Sequence, residues 1–121
     1  MNGEVDLSVY EIVGSALCIA SEDGQKVYDR IEGALKEGRS VALSFRNVSS
    51  LTSAFLNAAI GQLYGSFDEK EIRGKLKVQD MEPDDRALLK RVVDTAKDYF
   101  KDPNRFDQAV SETLGEEVGE K

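Results

Sequence analysis

Four hydroxyl side chains, Ser49, Ser50, Thr52 and Ser53, crowd into one short stretch, and Asn57 follows Ser53 by four positions. The stretch joins an apolar strand pattern to an apolar helix pattern, so the unpaired amides of a helix N-terminus emerge among these hydroxyls. Such a terminus favours negative charge, whether a carboxylate, a bound phosphate or a phosphate carried on Ser or Thr. The ordinary alternative is that Thr52 or Ser53 simply caps the helix. Asn57 lies one turn beyond Ser53 on the same face, as a solvated helix position or as part of a docking surface.

Other chemistries find little to work with. The chain has no His, which removes the commonest general base and the commonest metal ligand. Its single Cys, Cys18, stands between Leu17 and Ile19 and reads as a buried, unreactive thiol. One Cys also leaves no intramolecular disulfide and no zinc cluster. Asp84 and Asp85, like Glu22 and Asp23, read as acids in the first turn of a helix rather than as paired catalytic carboxylates. There is no Gly-rich phosphate loop. We therefore expect no enzyme activity, no cofactor and no metal.

Charge narrows the partners. In 121 residues, 16 Lys and Arg face 23 Asp and Glu, a net −7 with no basic stripe. Nucleic acid and anionic membrane are excluded on that balance. No apolar run approaches the roughly 20 residues of a membrane span. The first residues lack a charged segment followed by an apolar core, so a cytoplasmic protein without a signal peptide is expected.

The elements that must position the hydroxyl cluster follow from hydrophobic periodicity. Val5 to Val13 reads as a strand ending at Gly14, with Ala16–Ala20 as a second strand paired to it across Gly14 and Ser15. Ser21 is placed as the N-cap of a helix that carries Val27, Ile31 and Leu35 at four-residue spacing, with Gly38 as its stop. Ser40 to Phe45 alternates cleanly, with Val41, Leu43 and Phe45 on one face. The small Ala42 and Ser44 on the other face predict a strand covered on both sides. A helix from about Ser53 to Tyr64 carries Leu56, Ile60 and Leu63 in one stripe. A charged turn spans Asp68 to Arg73, and a strand covers Leu76 to Val78. Pro83 opens a long helix whose apolar face comprises Leu89, Val92, Val93, Ala96 and Phe100. The expected fold is one small α/β domain over residues 1–103, a mixed sheet with helices mainly on one face, followed by an acidic tail over 104–121.

The run from strand through hydroxyl pair to helix resembles the core of STAS domains, the fold of bacterial anti-sigma factor antagonists. More closely, the chain resembles the bacterial STAS-like family of unknown function. The likeness is carried by Val9-Tyr10-Glu11-Ile12-Val13-Gly14, by Glu22-Asp23-Gly24, and by the long segment from Thr52 to Gly65. It covers about residues 5 to 100. In the antagonists, a Ser at the start of the helix after the central strand is phosphorylated by a partner kinase that is also an anti-sigma factor. The dephosphorylated domain docks onto that kinase and releases the sigma factor.

Ser53 takes the phosphorylated position, Thr52 stands where the antagonists carry Asp, and Ala54 where they carry a second Ser. Phe55 replaces a Gly, and Ser44 stands where a strand-end Asp is common. The resemblance implies a non-catalytic protein-interaction module in bacterial regulation, switched by phosphorylation of Ser53. Its partner would be a histidine-kinase-like ATPase or an anti-sigma factor, received on Ser49, Ser50, Thr52, Ser53 and Asn57. The rival reading is a small-ligand or anion-binding domain using the helix start at Ser53. Oligomeric state is left open.

Overall fold

Alternation of apolar side chains builds three strands, β1 (Glu4–Ser8), β3 (Ser40–Ser44) and β5 (Leu76–Gln79), into a sheet with the order β1-β3-β5. The computed structural model describes residues 3–101. The acidic tail expected over 104–121 lies outside the described residues. Both neighbouring pairs in this sheet are parallel, with Leu7 opposite Leu43 and Leu43 opposite Val78. A second, two-stranded sheet pairs β2 (Leu17–Cys18) with β4 (Ser50–Leu51), also in parallel. Every strand pairing among the described residues is thus parallel, where a mixed sheet was expected. The expected pairing of the first two strands is replaced by β1 with β3 and β2 with β4.

The register places Val5, Leu7, Val41, Leu43, Leu76 and Val78 on one face. On the other, Ala42 lies between Asp6 and Lys77, and the Lys77 ammonium reaches Glu4 across the sheet at 3.3 Å. Glu4, Asp6, Lys77 and Gln79 are exposed there, so that face is open rather than covered. Ala42, a small side chain between Asp6 and Lys77, is nonetheless buried.

The helices pack on the apolar face. Helix α2 (Ser21–Lys36) buries Val27, Tyr28, Ile31, Ala34 and Leu35. Its start is capped by backbone at Ala20, without the side-chain cap expected of Ser21. Its end is a left-handed cap at Gly38, φ 77°, where the amides of Gly38 and Arg39 return to the carbonyls of Leu35 and Ala34 at 2.9 and 3.0 Å. Helix α6 (Pro83–Lys101) buries Val92 and Ala96. Phe100 is partly exposed, although its ring lies against Gly65, where a Cβ would meet it. Lys97 on α6 reaches Glu69 at 2.9 Å, and that contact holds the Glu69 carboxyl below the usual carboxylate range.

Two segments differ from the sequence reading. Val9–Val13 forms a short helix, α1, and not the end of a strand. The Ser8 hydroxyl accepts the Glu11 amide at 3.1 Å, and Gly14 closes the turn at φ 82°. The segment Asp68 to Arg73, read as a turn, falls in helix α5 (Glu69–Lys75) and its N-cap, with acids in the first turn and Arg73 and Lys75 in the last.

Candidate functional site

The hydroxyl cluster is held by the second sheet. Strand β4 carries Ser50 into register with Leu17, and the amide of Ser49 donates to the Ala16 carbonyl at 2.9 Å. The Ser49 hydroxyl donates to the same carbonyl at 3.3 Å. Helix α3 (Ser53–Leu56) follows at once, and Thr52 is its N-cap. The Thr52 hydroxyl accepts the Phe55 amide at 3.1 Å and donates to the Ile19 carbonyl at 2.6 Å. One side chain thus caps α3 and ties it to the β2 segment. It also uses up one of the amides that an anion at this helix start would need.

Capping belongs to Thr52, and Ser53 has no part in it. Ser53 is exposed at the first helical position, and its hydroxyl makes no hydrogen bond among the described residues. Thr52→Ala should therefore lower stability by about 0.5–2 kcal/mol, the usual cost of a lost cap. Ser53→Ala should stay within about 0.5 kcal/mol of wild type. Urea titration of both variants checks the pair, and a larger loss at Ser53 would return the cap to that residue.

Beyond Leu56 the helix widens into a π turn, Asn57–Gly61, before resuming as α4 (Leu63–Ser66). The amide of Gln62 reaches the Asn57 carbonyl at 3.0 Å, a bond spanning five residues. The Gln62 side-chain amide donates to the Ala58 carbonyl at 2.8 Å and to the Gln25 side chain on α2 at 2.8 Å. Asn57 lies against Gly61, where a Cβ would collide with its amide oxygen. Gly24 lets α2 approach this segment closely, since a methyl there would strike the Phe55 carbonyl and come within 2.9 Å of the Ala58 methyl. Phe55, at the position that resembles a Gly of the antagonists, is fully buried and anchors the segment from below.

The exposed ridge of this helix separates two grooves. Ser53, Ala54 and Asn57 line a cleft of about 410 Å³ with Leu88, Arg91, Val92 and Thr95 of α6. On the other side, Ala54, Asn57, Ala58 and Gln62 border a groove of about 510 Å³ with Ser21, Glu22 and Gln25 of α2. The structure brings Ser53 and Asn57 into one cleft. It sets Ser49, Ser50 and Thr52 outside the lining, engaged with Ala16, Leu17 and Ile19.

Sequence reasoning missed the α6 wall. Leu88, Arg91, Val92 and Thr95 fall at successive three- and four-residue steps, a helix face legible in the chain, but nothing local says that it opposes Ser53. It also missed a third cleft of about 420 Å³ beyond the carboxyl ends of β3 and β5, lined in part by Arg46, Asp80 and Arg86. There Ser44 donates to Asp80 at 2.7 Å and Arg46 approaches the same carboxylate at 3.7 Å, so the polar groups largely satisfy one another.

Cys18 carries no site. It is fully buried, and burial together with the nearby Asp23 charge pushes its thiol up to about 11. Unfolded, it titrates near the ordinary 9.0, so the folded state holds a proton that the unfolded state loses between those values, and stability falls as pH rises through them.

The family model for the STAS-like domain of unknown function (DUF4325) matches residues 23–86, more than half of the chain. The chain belongs to this STAS-like family. The matched span runs from the start of α2 through β3, the Ser53 helix and β5 to the first turn of α6. It is narrower than the 5–100 of the resemblance and leaves out Val9–Gly14. No curated protein and no solved structure matches the chain. The STAS-like domain here is a small α/β unit with parallel sheets, and no helix among the described residues is long and apolar enough to cross a membrane.

Proposed function

We propose that this STAS-like domain is a non-catalytic interaction module of bacterial regulation, docking onto a protein partner through the cleft between α3 and α6. Phosphorylation of Ser53 toggles that contact. The observation that carries the reading is the state of Ser53. Its neighbour Thr52 does the capping, which leaves an exposed, unbonded hydroxyl lining a groove whose α6 wall carries the apolar Leu88 and Val92. A residue needed for neither cap nor core is free to be modified without unfolding the domain.

The resemblance to anti-sigma factor antagonists supports the partner class, a histidine-kinase-like ATPase or an anti-sigma factor. Such a kinase would bring a nucleoside triphosphate. The Ser53 oxygen forms the new bond to phosphorus, the bond to the diphosphate leaving group breaks, and the hydroxyl proton passes to a base on the kinase. The chain's lack of His and the raised pKa of Cys18 support a docking rather than a catalytic role. The mechanism is electrostatic: a phosphate adds about −1.5 to −2 charges where a neutral hydroxyl had been.

A photo-reactive side chain placed at Asn57 in the source cell should capture an ATPase of the kinase type or an anti-sigma factor. The same group at Gln79, on the open face of the sheet, should not. Capture of that partner at Gln79 and not at Asn57 would overturn the reading.

A further inference from the structure

Among the described residues, Arg91 is the one charged side chain lining the Ser53 cleft. It is exposed and makes no ion pair or hydrogen bond among the described residues. Most basic side chains of this acidic chain are engaged, as Lys26 is by Asp23, Lys77 by Glu4 and Lys97 by Glu69. Arg30 and Lys70 share the unpaired state of Arg91, but neither lines a cleft described above. Asp94, one turn along α6, is held by Lys90 at 2.8 Å and leaves Arg91 alone. Among the described residues no acid lines the cleft.

We propose that Arg91 receives the phosphate of phosphorylated Ser53, so that modification closes the groove from within. The proposal rests on Ser53 as the modified residue, and it adds the group that reads the modification. A guanidinium presents its donors in a planar fork that matches two phosphate oxygens, and it stays charged at every relevant pH. With Ser53 on the α3 wall and Arg91 on the α6 wall, the pair would bridge the groove and cover the apolar Leu88 and Val92 beside Arg91. Unmodified, Arg91 lines an open cleft with no partner among the described residues. The switch is then an exchange of occupants, a partner or the chain's own phosphate, and it needs no change of fold.

The test uses the full chain with phosphoserine installed at position 53 by genetic encoding, followed by phosphorus NMR titration. With Arg91 present, the second ionisation of the phosphate should fall about half a pH unit or more below its value in Arg91→Gln, because a facing cation favours the dianion. Arg91→Lys should lie between the two. The unphosphorylated forms should melt together, as Arg91 is exposed and unpaired. Coincident titration curves for wild type and Arg91→Gln would overturn the proposal. A reading that needs no substitution is the Arg91 side-chain Nε–H resonance, which should shift and gain exchange protection when Ser53 carries phosphate. An unmoved resonance would equally overturn it. Partner binding indifferent to the phosphate would sink the docking switch and leave this pairing standing, so the two failures are distinguishable.

Discussion

Phe45→Ala should destabilise the domain by about 3–5 kcal/mol, the range for emptying a buried aromatic site. Phe45 is 3 % exposed just past the end of β3, and its amide donates to the Gln79 carbonyl at 3.0 Å, extending the ladder to β5. Its ring belongs to the same core cluster as Val41, Leu43, Phe55 and Leu56, which joins the sheet to the Ser53 helix. Losing it removes both transfer free energy and packing, and a domain of ordinary stability holds only about 5–15 kcal/mol in all. The variant should therefore lose a large fraction of its stability, about a third of it even for a domain in the upper part of that range. Urea unfolding followed by circular dichroism checks the loss, with an unchanged slope marking a stability effect alone. A loss below about 1 kcal/mol would take Phe45 out of the core and break the register assigned to β3.

That register was legible in the chain because β3 alternates without exception, and the apolar stripes of α2, the Ser53 helix and α6 carry the helical period. The segment from Val9 to Val13 was not, because its β-branched residues mimic a strand. The signal that decides it is short: Ser8 and Glu11 stand at capping-box spacing, and Gly14 supplies the left-handed stop. Asp68–Arg73 was missed for a similar reason. It has little apolar periodicity, yet Glu69 pairs with Arg73 at 2.6 Å and Glu71 with Lys75 at 4.0 Å, four residues apart in each case.

Strand pairing was the larger error. Parallel partners are set by helices crossing between them, and a local pattern cannot show that β2 belongs beside β4. Small residues opposite the core stripe of β3 suggest cover, but Asp6 and Lys77, the strand partners of Ala42, are exposed. Of the site, the hydroxyl cluster and the helix start were readable, and so was the Ser53–Asn57 spacing. The π turn and the α6 wall depend on contacts distant in sequence, and no local signal announces them.

The central claim is that a neutral Ser53 is required on the docking face, and the most direct measurement is a calorimetric titration of the captured partner with wild type, Ser53→Ala and Ser53→Asp. Ser53→Ala removes a hydroxyl that neither caps nor bonds, so it should bind within about twofold of wild type. Ser53→Asp puts a carboxylate at the lip of the groove. It should weaken binding about tenfold or more, since like charge or desolvation at a docked surface costs on the order of 1.4 kcal/mol or above. Both variants should keep wild-type stability within about 1 kcal/mol, because an acid is accepted in the first turn of a helix. Weak binding by Ser53→Asp alongside intact binding by Ser53→Ala is the predicted result. Equal affinity of Ser53→Asp and wild type would contradict the account and leave Ser53 an ordinary surface residue.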